Sequence, residues 1–168
     1  RGVPVLILAV LVGAWLVSQW TPLFNSEARK VKKLAEELER PYREDKYGGK
    51  TPEETYDLFI SALKAGNVEL ASKYFEPYAQ DNWLETLMEY RINNSLGDFI
   101  RELENTRKIW SKSDKSTETS VSFKYKVLIE KGDKATIDGQ EVEIPPGDYV
   151  NSSEFHKNQN GVWKIYAL

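Results

Sequence analysis

The spacing of apolar residues changes once in the second half of this chain, near Asn105, from the 3.6-residue period of helices to the two-residue period of strands. Helices grouped ahead of strands cannot interleave into a parallel α/β sheet. They specify an α+β domain in which helices cover one face of an antiparallel sheet.

The helical half reads in order. Thr51-Pro52-Glu53-Glu54 is a helix start, with Thr51 as cap, Pro52 at the first helical position and Glu54 closing a capping box. Tyr56, Phe59, Ile60 and Leu63 follow at i, i+3, i+4 and i+7, so one face is apolar. Gly66 stops this helix and Asn67 caps a second one carrying Leu70, Ala71, Tyr74 and Phe75, closed by Pro77. Asp81 is expected to cap a third helix with Trp83, Leu84, Leu87, Met88 and Ile92 on a broad face. A fourth spans about 95–105, with Leu96, Phe99, Ile100 and Leu103. These stripes are read first as core.

In the strand half, 108–112 is a short first strand and 120–130 the clearest one. There Val121, Phe123, Tyr125 and Val127 alternate with Ser122, Lys124 and Lys126. Asp138-Gly139 and Asn160-Gly161 mark hairpin turns, the first within 134–144 and the second between strands at 149–157 and 162–168. Parity puts Tyr149, Phe155, Trp163, Ile165 and Ala167 toward the helices. It puts Glu154, His156 and Lys164 on the wet face.

Ahead of this domain, Gly2 to Ser26 contains no charged residue, and its apolar core runs from Val3 to Trp20. As a helix rising 1.5 Å per residue, it exceeds a bilayer core of about 30 Å. Trp15, Trp20 and Phe24 cluster toward one end, as interfacial aromatics do. Residues 1–24 are therefore read as a transmembrane anchor that contacts lipid through residues 3–20. The rival is a cleaved signal peptide using Val12-Gly13-Ala14, which leaves the apolar stretch beyond Ala14 unexplained. Arg29, Lys30, Lys32 and Lys33 pull the following domain toward the cytoplasm, but sizeable domains translocate largely regardless of charge. The reading adopted is a single-pass cell-membrane protein with an extracytoplasmic domain. Residues 25–50 form a helical stalk and linker. Val31, Leu34 and Leu38 lie on one stripe, Pro41 ends the helix, and Gly48-Gly49 punctuates the linker before a domain over 51–168.

Composition narrows the chemistry. The chain has no cysteine, which removes disulfides, thiol nucleophiles and thiolate zinc sites, and its single histidine, His156, cannot build a histidine-rich metal site. Residues 51–168 carry 14 Lys/Arg against 20 Asp/Glu, the wrong balance for a nucleic-acid partner. No glycine-rich phosphate loop occurs. No cofactor and no metal is expected, and no residue is nominated as catalytic: His156 and Glu154 fall on the wet face, and Asp98 reads as a cap-region charge.

The segment TPEETYDLFISALKAGNVELASKYF resembles the opening helices of nuclear transport factor 2-like domains, and SSEFHKNQNGVWKIYAL resembles their closing hairpin. The resemblance runs in order through 51–168 and implies a cone with a cleft between its helices and a curved sheet. That family hosts isomerases, dehydratases, transport and assembly factors, so the fold alone leaves function open. Residues placed to line such a cleft are Trp83, Tyr90, Tyr125, Tyr149 and Trp163. One span followed by such a domain is also similar to the layout of inner-membrane components of type IV secretion systems, although no motif specific to them occurs here.

Two functions follow as expectations. The first is a membrane-anchored, non-enzymatic binding or assembly module of the cell envelope, engaging a protein partner or itself. The second is a small-ligand binder, or an isomerase- or dehydratase-like enzyme, using the cleft.

Overall fold

The computed structural model describes residues 27–137 and 140–168. The expected transmembrane anchor and the Asp138-Gly139 turn lie outside the described residues. Among those described, no helix is long and apolar enough to cross a membrane.

The chain divides into two compact units at the Glu44/Asp45 junction. In the first, residues 27–44 form α1. Lys32–Glu36 and Lys33–Glu37 make ion pairs across successive turns at 3.9 Å. Val31, Leu34 and Leu38 are exposed. The helix does not end at Pro41 but continues through it to residue 44.

The second unit, Asp45–Leu168, is α+β, with helices packed on a four-stranded antiparallel sheet. Its helices are α2 (Pro52–Lys64), α3 (Val68–Ser72), a 3-10 turn (Pro77–Ala79), α4 (Gln80–Ile92) and α5 (Leu96–Ile109). Thr51 caps α2 by accepting from the Glu54 amide at 3.1 Å, and the Glu54 carboxylate accepts from the Lys50 amide at 2.6 Å. Asn67 caps α3 by accepting from the Leu70 amide. The expected Asp81 cap is not formed. Because α4 grows directly out of the 3-10 turn, its first residue is Gln80 and no side chain caps it.

The strands are β1 (Ser111–Lys112), β2 (Ser120–Ile129), β3 (Asp133–Ile137), β4 (Gln140–Ile144), β5 (Gly147–Lys157) and β6 (Trp163–Ala167). The main sheet runs β1-β2-β5-β6, while β3 and β4 pair as a separate hairpin. The first strand is shorter than its alternation suggests, since residues through Ile109 complete the last turn of α5. At the second hairpin, Asn158 Oδ1 accepts from the Asn160 and Val162 amides and Gly161 adopts φ 80°. A bulge between Glu154 and Phe155 sets Ala167 opposite Glu154.

The β2–β5 register pairs Val121 with Phe155, Phe123 with Ser153 and Tyr125 with Asn151, which defines the helix-facing side. Against that side pack Tyr56, Phe59, Ile60 and Leu63 from α2, together with Phe75, Leu87 and Leu103. The four α2 residues are those named by the helical period, and each is buried because the i, i+3, i+4, i+7 stripe meets the sheet.

The segment 45–50 is not a free linker. Trp163 donates its backbone N–H to Gly49 O at 3.0 Å, and Gly49 donates to Thr55 Oγ1 at 2.8 Å. Thr55 Oγ1 in turn donates to Trp163 O. Gly48 sits at φ 152°, where a Cβ would lie 2.2 Å from Trp163 O, so only glycine lets the chain run this close to β6. Further along, Ile165 donates to Tyr74 O and accepts from the Glu76 amide. The outer edge of β6 is thereby covered.

Candidate functional site

The space between helices and sheet, where a cleft was expected, holds aromatic rings. Trp110 stacks on Phe123 at 4.2 Å and lies 4.7 Å from Tyr56, and Phe155 contacts all three edge-on or nearly so. The Tyr56 hydroxyl donates to Leu103 O at 3.1 Å, and burial raises the pKa of its phenol well above the ordinary range. It is a satisfied core tyrosine, not an acid waiting for substrate.

The five cleft candidates are dispersed. Trp163 is buried in the core on β6. Trp83 stacks on Phe75 at 4.1 Å, and Tyr90 stacks on Phe99 at 4.7 Å. Tyr125 and Tyr149 share the helix-facing parity of β2 and β5, and burial raises the Tyr125 phenol pKa. The Tyr149 hydroxyl donates to Pro145 O at 2.7 Å, which ties down the turn before β5.

His156 lies opposite Lys164, on the face away from the helices, and stacks on Tyr166 at 4.2 Å. Asp98 pairs with Arg101 one turn on, an exposed helix pair. Among the described residues no group of three or more His, Asp or Glu is placed to hold a metal ion.

Lys164 departs from its expected place. Its alternation assigns it to water, yet it is 0% exposed. Its ammonium donates to Asp45 Oδ2 at 2.7 Å, to Tyr47 O at 2.7 Å and to Lys73 O. Asp45 also accepts from the Tyr47 amide at 3.0 Å and from Gln80 Nε2 at 3.4 Å. Burial lowers the Lys164 pKa, and the Asp45 carboxylate partly offsets this. With three acceptors filled, the amine has no lone pair to offer a substrate, so this is an internal clasp. Sequence periodicity missed it because the carboxylate that covers the strand lies over a hundred residues upstream, in a segment read as linker.

The face of the sheet turned from the helices offers a different kind of site. A groove of about 410 Å³ at its β2 margin is lined by the outward-facing Ser111, Lys124, Lys126 and Val150 together with Ile109, the last residue of α5, and Tyr125, whose parity is helix-facing. The register sets Ser111 beside Lys124, and Lys126 beside Val150, so these residues form adjacent rows on the outer face. Ile109, Leu128 and Val150 are 60%, 63% and 68% exposed. Three large aliphatics at wet positions on neighbouring elements, framed by two lysines, make an apolar, cationic surface. The signal was present in the sequence: Leu128 and Val150 break the alternation of their strands. A second groove, of about 310 Å³, runs between α2 and α5 and contains the Arg107–Asp57 pair at 3.0 Å.

Comparison with protein-family models, with curated proteins and with solved structures gave no match to this chain.

Proposed function

We propose that this chain is a membrane-anchored, non-enzymatic binding or assembly module of the cell envelope, built on a nuclear transport factor 2-like domain. It engages a protein partner through the outer face of its sheet. Residues 3–20 tether it to lipid, and the domain stands on the extracytoplasmic side. The observation that carries this reading is the contrast between the two sides of the sheet. Aromatic side chains pack the helix-facing side around Phe123 and Phe155, whereas Leu128 and Val150 on the opposite face lie in the open beside Lys124 and Lys126. Apolar side chains left in water at strand positions are recovered when a partner covers them.

A photoreactive amino acid at Val150, in the full chain in native membranes, tests this. Adducts with a protein are expected from Val150 and not from Leu58 on α2. Equal or absent adducts at the two positions would remove the proposal. The alternative, a small ligand in the cleft, has against it the rings that occupy that space. Protease accessibility of the domain in intact cells tests its orientation.

A further inference from the structure

One edge of the main sheet is open. Ser122 O accepts from the Ser113 amide, Ser120 O from the Thr117 amide and Lys124 O from Ser111 Oγ, whereas Thr119 O accepts from Lys157 on the β5 side. Even-numbered residues of β2 thus aim their backbone groups away from β5. β1 pairs only with Phe123 and Lys124, and among the described residues no strand pairs with β2 on that side beyond Lys124. The N–H and C=O groups of Lys126 and Leu128 therefore line an unpaired edge.

From this edge we infer that two copies of the chain pair β2 against β2, antiparallel, about a two-fold axis at Leu128. This rests on the assembly reading above and names its partner. Leu128 then faces its own counterpart and exchanges both backbone hydrogen bonds with it. Lys126 faces the second copy's Glu130, and Glu130 faces the second copy's Lys126. Val127 and Ile129 face each other in the same way. The charge pattern is self-complementary in this register: both charged pairs are of opposite sign, on the same face as the two leucines. Shifting the axis to Val127 would set Glu130 against Lys124, where Ser111 already sits. In the Leu128 register the incoming strand reaches only Glu130 before the bend at 130–131. Its carboxylate lands at the groove beside Lys124 and Lys126. The two sheets become one continuous sheet, and the exposed Leu128 side chains are covered. A five-residue pairing is weak by itself, and confinement to a membrane raises the effective concentration that holds it.

The chain's lack of cysteine makes the test clean. Leu128→Cys is introduced into the full chain in membrane vesicles, which are then oxidised mildly. Directly opposed residues of a hydrogen-bonded antiparallel pair stand about 5.5 Å apart at Cα, within disulfide reach. Most of the Leu128→Cys protein is expected to cross-link to a dimer, whereas Ile92→Cys on α4, 75% exposed, gives only collisional product. Adding K126E or E130K to Leu128→Cys lowers the dimer roughly tenfold, because each sets two like charges across the strands. Combining both reverses the pairs and restores the yield. Circular dichroism of each variant confirms that the fold is kept. Cross-linking of Leu128→Cys no better than Ile92→Cys, or a charge swap that fails to restore it, overturns the pairing. If that happens while Val150 still captures a different protein, the assembly reading stands and self-pairing alone falls. If Val150 also captures nothing, both fall.

Discussion

Replacing Lys164 by Met keeps the length of the side chain and removes its ammonium. Three acceptors then lose their donor: the Asp45 carboxylate and the carbonyls of Tyr47 and Lys73. The side chains of Lys164 and Asp45 are 0% and 4% exposed, so water cannot take the ammonium's place without opening the segment 45–47. A carboxylate left buried beside only the Tyr47 amide and Gln80 costs about 3–5 kcal/mol, the two stranded carbonyls included. A domain of this size has roughly 5–15 kcal/mol in total, and each kcal/mol moves its midpoint by about 4 °C. Thermal unfolding of the full chain, followed by tryptophan fluorescence, should show a midpoint about 12–20 °C lower. The double variant Asp45→Asn/Lys164→Met should cost less than the two single changes summed, with a coupling of roughly 2 kcal/mol. A Lys164→Met variant within about 1 kcal/mol of the parent would refute the reasoning and make the 45–50 segment a passive strap.

Other consequences are open to measurement. Gly48→Ala forces a Cβ onto Trp163 O and should destabilise by roughly 2–3 kcal/mol in urea unfolding. Phe123→Ala removes the ring stacked on Trp110 and should cost about 3–5 kcal/mol by the same assay. Glu76 has its carboxyl pKa raised, chiefly by burial, with His156 and Lys164 pulling the other way. The folded state therefore holds this proton more tightly than the unfolded one. Its contribution to stability is complete below about pH 4.5 and is lost as the pH climbs through the folded-state value. Glu76→Gln should flatten that part of the curve of midpoint against pH. Val150→Asp should abolish partner capture at the outer face and leave the thermal midpoint within about 2 °C, because Val150 is exposed.

The parts of the fold governed by local rules were legible. Thr51 and Asn67 cap the helices they precede, the stripe from Tyr56 to Leu63 is buried, and the long strands fall where apolar residues alternate. What was not legible depends on distant contacts. Asp45 and Lys164 look solvated in any window of sequence, and only the return of the chain over β6 makes them a pair. Asp81 looks like a cap, but a 3-10 turn begins the helix one residue earlier. Parity assigns the strand rings Tyr125, Tyr149 and Trp163 to a side of the sheet and says nothing of whether neighbouring rings fill the space between. The outer face was within reach, since Leu128 and Val150 stand out in their strands as apolar residues at wet positions.

Hydrogen exchange at the β2 segment 124–130 addresses the claim that this domain works through the outer side and open edge of its sheet. It is measured on the full chain in native membranes and again after dilution in detergent. Slow exchange at the Lys126 and Leu128 amides in membranes, becoming fast on dilution, is the expected result. Exchange that is equally fast in both settings would mean that nothing covers this edge where the protein resides, and would contradict the account.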